Sequence, residues 1–261
     1  FAVANQKGGV GKTTTSVNLA ASLGLMNREV LLIDLDPQGN ATMGSGMEKK
    51  ELPHSIYDVL IGEKSAEESL VKAEAAGYDV LGSNSDLIGA EIELLDLDRR
   101  EYRLKDALLG FGGKYDFIVL DCPPALGVLT LNGLVASDSV IIPMQCEYYA
   151  LEGLTALLDT IDRISSSLNP KLKVEGLLRT MYDPRNSLSR DVSLHLIDHF
   201  GDAVYRTIVP KNVRLAEAPS YGVPVHFYDK YSRGSKAYLA LAGEVLNRHP
   251  EAANKGGENG D

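Results

Sequence analysis

Short, wholly apolar runs alternate along this chain with stretches whose apolar residues recur every three or four positions. The runs FAVA (1–4), EVLLIDLD (29–36), YDVLGS (78–83), YDFIVLDCPP (115–124), DSVIIPM (138–144), KVEGLLRTMY (173–182) and YRTIVP (205–210) predict strands. Between them, 12–26 carries Val17, Leu19, Ala20 and Leu23 at helical spacing, and 150–168 carries Leu154, Leu157, Leu158, Ile161 and Ile164. Helices are also predicted over 88–97, 100–111, 126–136, 189–201 with Ser189 as N-cap, and 234–249. PQGN (37–40) reads as a turn. Apolar strands alternating with helices make a parallel sheet covered on both faces. With no repeat, linker or composition break, the expectation is one α/β domain over 1–249. The stretch PEAANKGGENGD (250–261) reads as a flexible tail.

Composition narrows this only a little. The chain has 261 residues, 44% hydrophobic and 24% charged, as an ordinary globular protein does. Its net charge of -10 argues against a surface coated for nucleic acid, although a local basic patch is compatible with an acidic total. Cys122 and Cys146 both fall in strand-like runs and read as buried, reduced thiols of a cytosolic protein. The apolar runs are far shorter than the ~20 residues that span a bilayer, and no signal peptide is visible. The opening inside an apolar stretch, without Met, predicts that the first strand begins before Phe1.

Chemistry enters with NQKGGVGKTTT, Asn5 to Thr15. A strand, a glycine-rich loop and a Lys-Thr pair opening a helix let backbone N–H groups, the helix N-terminus and Lys12 converge on nucleotide phosphates. Thr13 is then placed to put its hydroxyl on Mg²⁺. The pattern G-x-x-x-x-G-K-[ST] fails at its first position, where Gln6 stands. A glycine-rich turn with no ligand is the alternative. A magnesium site also needs a carboxylate at a neighbouring strand end, and Asp121 is the best placed, directly or through water. Asp34 and Asp36 share one side of an extended segment, so both are candidates to face the phosphates, and a cap or turn role is the alternative for each. Lys7 has no evident task within one chain; as a lone residue it reads equally as a solvated loop lysine.

KGGVGKTTT, VLLIDLDPQGNAT, YDFIVLDCPP, PMQCEYYALEGL and VPKNVRLAEAPSYGVPV together resemble the ParA/Soj family of chromosome and plasmid partition ATPases. These belong to the deviant Walker A group, and the likeness runs in order from Phe1 to about Arg248. The resemblance implies a single-domain P-loop NTPase fold, ATP and Mg²⁺. It places Lys7, Gly8, Gly9, Val10, Gly11, Lys12, Thr13 and Thr14 around the phosphates, with Thr13 and Asp121 at the metal. Asp36 handles the hydrolytic water, and Lys7 crosses to a second subunit's nucleotide when two ATP-bound monomers close into a homodimer. It sets Thr180, Met181, Pro210 and Asn212 near the adenine. It assigns Arg185, Lys211 and Arg214 to non-specific DNA, with Arg190, Arg233 and Lys236 nearby; ordinary surface arginines are the alternative. A ParB-type centromere-binding partner triggers hydrolysis and release, and the protein is cytoplasmic and nucleoid-associated, without a membrane role.

Two relatives of the same group give competing readings. A MinD-like membrane ATPase ends in a basic amphipathic helix, which NRHPEAANKGGENGD does not form. A nitrogenase-iron-protein-like reductase bridges an iron–sulfur cluster through cysteines in a glycine-rich context that Cys122 and Cys146 lack. His195 and His199 stand four apart with no acid motif to complete a zinc site, and read as a helix surface. Tyr148 and Tyr149 fit a dimer face or a core, and Glu147 has no assignment beyond the nucleotide edge.

Overall fold

The computed structural model describes residues 1–253; the predicted tail lies outside it from 254 onward. Among the described residues, eight strands form one sheet: β1 (Ala2–Val3), β2 (Val30–Asp34), β3 (Leu70–Ala73), β4 (Tyr78–Leu81), β5 (Phe117–Asp121), β6 (Ser139–Gln145), β7 (Lys173–Tyr182) and β8 (Val204–Pro210). Their order is β3-β4-β2-β5-β1-β6-β7-β8, and every pairing is parallel except β3 with β4. The helices are α1 (Lys12–Gly24), α2 (Asn40–Gly44), α3 (Ile56–Ile61), α4 (Leu87–Glu93), α5 (Arg103–Ala107), α6 (Val128–Ala136), α7 (Ala150–Ser167), α8 (Ser187–Phe200), α9 (Val213–Glu217), α10 (Val225–Tyr228), α11 (Arg233–Arg248) and α12 (Pro250–Ala253).

Alternation along the strands builds two cores. In β2, Leu31 and Ile33 join one cluster with Leu134 of α6 and Leu157 and Ile161 of α7. Val30 and Leu32 join the other, with Leu19 and Leu23 of α1 and Leu241 and Val245 of α11. Both faces of β2 are dry, which is why its sequence reads as a continuous apolar run. Parallel order brings the C-terminal ends of β1, β2, β5, β6, β7 and β8 to one edge, where open α/β sheets hold their ligands.

Several elements depart from the sequence expectation. Helix α8 begins at Ser187, because Asn186 Oδ1 accepts from the N–H groups of Leu188 (3.0 Å) and Ser189 (3.4 Å). Ser189 is inside the helix and its hydroxyl donates to the Cys146 carbonyl at 3.2 Å. PQGN runs directly into α2, and the helix expected over 100–111 is the short α5 flanked by two 3-10 turns. Strand β3 is an antiparallel edge strand, and α3 opens with a capping box of Ser55 and Asp58. Cys122 and Cys146 are free and buried.

Candidate nucleotide site and its basic rim

The loop between β1 and α1 turns on two left-handed glycines, Gly9 (φ 72°) and Gly11 (φ 89°), a region L-residues rarely adopt. Gly8 has no such requirement, and a Cβ added there meets nothing within 4 Å. Open space beside a glycine that the fold itself does not demand suits a closely approaching ligand. Val10 is buried, and its carbonyl accepts from the Thr180 hydroxyl at 2.7 Å, tying the loop to β7. Lys12 is 7% exposed, and its Nζ folds back to donate to the Lys7 carbonyl at 3.3 Å. Burial lowers its pKa, against the attraction of Asp121 and Asp36.

Asp121, at the end of β5, is wholly buried; its Oδ2 accepts from Thr13 Oγ1 at 2.8 Å and its Oδ1 from Ser16 Oγ at 2.9 Å. Burial, and then repulsion from Asp34, push its pKa well above the usual carboxylate range. A water-excluded carboxylate hydrogen-bonded to hydroxyls on the first two turns of α1 offers hard oxygen donors beside the phosphate loop. That set fits Mg²⁺. Ser16 escaped the sequence reading, although it stands one turn beyond Thr13 on the same helix face.

The two acids after β2 part company. Asp34 is 0% exposed and accepts from Thr42 N and Thr42 Oγ1, both at 2.8 Å, and from Asp36 N at 3.1 Å. It ties α2 to the strand and is closed to solvent. The strand ends at Asp34, so the extended geometry that would keep both acids on one side does not persist. Asp36 is half-buried; its Oδ1 accepts from Gln38 N at 2.9 Å and its carbonyl from Ser83 Oγ at 2.8 Å.

Lys7 does have a partner in its own chain. Its Nζ forms an ion pair with Glu147, just past β6, and both side chains are about half exposed. A separation of 140 residues hides this pair from sequence inspection. Tyr148 and Tyr149 follow Glu147 on the surface, 73% and 71% exposed and packed edge to face.

Thr180, Met181, Pro210 and Asn212 come together. With Gly11, Thr14, Lys211, Leu215 and Tyr238 they line a cavity of about 390 Å³ beside the phosphate loop. Met181 adopts φ 48°, a strained backbone for a methionine, at the end of β7. Asn212 caps α9 by accepting from Arg214 N at 3.0 Å. Loops from adjacent strand ends carry the basic residues, since Tyr182 is in register with Pro210. Lys211 is exposed. Arg185 is held by Asp183 (2.8 Å), whose carboxyl this guanidinium lowers to about 2. Arg214 is held by Glu217 (2.8 Å) and Asp229 (3.4 Å).

A parallel sheet with a left-handed glycine loop at its centre, a lysine folded over that loop and a buried acid on the next strand together define a P-loop nucleoside triphosphatase. The AAA domain family matches residues 1–174. The chromosome partitioning protein ParA of Caulobacter vibrioides is 51% identical over 250 residues, 95% of this chain and 94% of that one. The sporulation initiation inhibitor protein Soj of Bacillus subtilis is 51% identical over 245 residues, 94% of this chain and 97% of that one. A solved Mycobacterium smegmatis structure described as cobyrinic acid a,c-diamide synthase with bound ADP and magnesium is 42% identical at a TM-score of 0.83, covering 97% of this chain and 96% of that one. The septum site-determining protein MinD of Pyrococcus horikoshii, at 23% identity and a TM-score of 0.78 (97% and 98% covered), shares the fold. The chain belongs to the ParA/Soj family of chromosome-partitioning ATPases.

Proposed function

We propose that this protein is an ATP-driven DNA-partition switch: ATP closes a homodimer, the dimer binds DNA without sequence preference, and a ParB-type partner triggers hydrolysis and release. One observation carries this reading. Of the two loop lysines, Lys12 turns inward over its own glycine loop while Lys7 leads outward, half-exposed, to Glu147. An outward lysine at a phosphate edge is available to a second nucleotide, where a charge supplied from another subunit stabilises the transferring phosphoryl group.

Residues of this chain divide the work. Lys12, Thr14 and the N–H groups of Gly8 to Thr13 hold the phosphates, and Thr180, Met181, Pro210 and Asn212 receive the base. Thr13 and Asp121, the latter directly or through water, would hold Mg²⁺, which would supply positive charge against the phosphate oxygens. Asp36 orients the attacking water and takes up its proton as the terminal phosphoryl group leaves. Arg185, Lys211 and Arg214 meet DNA phosphates, so affinity should fall steeply with salt.

Retention of random duplex DNA, measured with ADP, ATP and a slowly hydrolysed analogue at two salt concentrations, tests this. ATP and the analogue should give salt-sensitive retention together with a dimer in sizing. Asp36→Ala should hold the dimer on DNA, Lys7→Ala should lose dimerisation yet keep nucleotide binding, and Arg214→Glu should lose DNA yet keep the dimer. A wild type that stays monomeric with ATP and retains DNA equally in every nucleotide state would overturn the reading.

A further inference from the structure

Helix α4 and the 3-10 turn that continues it (Leu94–Asp96) are apolar on both sides. Leu87 and Ala90 of the helix and Leu94 of the turn join the core and are 0% exposed. Ile88 and Ile92 of the helix and Leu95 of the turn form a second stripe on the outer side and are 56%, 71% and 55% exposed. A segment carrying both stripes satisfies one in the core and leaves the other for a partner. Asp86, Glu91, Glu93, Asp96 and Asp98 surround the outer stripe, all exposed, and no lysine or arginine occurs from 73 to 98.

The charge decides what fits. A second copy on this face would set five carboxylates against five. DNA and an anionic lipid surface are repelled for the same reason. An amphipathic helix with an apolar stripe flanked by lysines or arginines satisfies both features.

Position adds a consequence. Ser83, at the root of α4, donates its hydroxyl to the Asp36 carbonyl at 2.8 Å, and its N–H donates to Thr42 Oγ1 at 2.9 Å. Glu91 packs on the loop that follows Asp121: a Cβ added at Gly127 would stand 3.0 Å from Glu91 Oε1. A load on α4 therefore bears on both segments that carry the proposed water-handling and metal acids.

We infer that the outer face of α4 is the docking surface for a basic amphipathic helix of a partner protein, and that this partner is the one that stimulates hydrolysis. The second half of this rests on the partition-switch reading above. The test uses the full chain and two synthetic amphipathic helices of the same leucine stripe, one flanked by lysines and one by glutamates. Fluorescence anisotropy gives affinity without nucleotide or DNA, and ATP turnover is read separately. The lysine helix should bind and raise turnover, and the glutamate helix should do neither. The double variant Ile88→Ser/Ile92→Ser should weaken the lysine helix by about tenfold and lose the stimulation, with basal turnover and melting temperature kept. Asp96→Lys/Asp98→Lys should weaken it similarly, while Glu152→Lys/Asp159→Lys on α7 should change it less than about twofold. Equal loss from the α7 variant, undiminished binding by the serine variant, or a dimer that the serine variant converts to monomer would each overturn the docking surface. Binding through the stripe without a rise in turnover would overturn the assignment to the stimulating partner. Failure of ATP-dependent DNA retention in the wild type would instead count against the partition switch and leave the anisotropy result standing.

Discussion

Asp121 illustrates what a single residue must tolerate here. Its carboxylate is removed from water and faces Asp34, which together disfavour its charge more than the two hydroxyl hydrogen bonds it accepts favour it. Asp121→Asn keeps the shape and removes the charge. It should weaken Mg²⁺ by about 10- to 100-fold in a titration of magnesium-dependent nucleotide binding, as loss of a group that orients a metal site does. Lys7 and Glu147 present the opposite case, an ion pair open to solvent. Such pairs contribute about 0–1 kcal/mol. Glu147→Ala should therefore move the melting temperature of the nucleotide-free chain by no more than about 3 °C, read by circular dichroism. The glycine loop, Lys12 and Asp121 were legible as a candidate phosphate site because their spacing within short segments is local. The Lys7–Glu147 and Ser16–Asp121 contacts were not, because each joins segments more than 100 residues apart.

At the scale of elements, α8 shows how capping chemistry sets a boundary. Ser189 and Asn186 are both cap-forming residue types, and the apolar periodicity of the helix fits either start. The loop after β7 resolves the choice, because it presents the Asn186 side chain to the N–H groups of Leu188 and Ser189. Asn186→Ala should cost about 0.5–2 kcal/mol in urea unfolding, with Ser189→Ala costing less. The buried strands were readable because being dry on both faces forces apolar runs. Strand β3 was not. Its LVKA is short, lies at an edge and exists through pairing with β4. Helix α3 carried its own signal, the S-x-x-D box at Ser55, which its brevity obscured.

Across the whole molecule, the nucleotide loop and the basic loop are joined through the core. Asn18, on α1, accepts from Val225 N at 2.7 Å, tying the helix behind the phosphate loop to α10. Gly46, just past α2, and Gly222, which ends the 3-10 turn following α9, meet backbone to backbone; a Cβ on Gly222 would stand 3.1 Å from Gly46 Cα. Gly222 is also left-handed, at φ 65°. Gly222→Ala should cost about 1–3 kcal/mol in a thermal melt. It should also blunt the difference in DNA retention between ATP and ADP, because the same contact links the Asp36 segment to the segment bearing Arg214.

The sequence by itself determined the layered α/β architecture, the glycine loop and the identity of the acids that end its strands. Those features are local: periodicity follows from which faces are dry, and a phosphate loop follows from strand, glycines and helix in immediate succession. Tertiary structure alone decided which acid turns inward and which remains at the edge. It also decided that Lys7 rests on Glu147, and that α4 and the turn after it leave an apolar stripe uncovered. Each of these depends on which strands are neighbours. Sheet order sets that, and sheet order is fixed by how all the strands and helices pack at once rather than by any single stretch of chain.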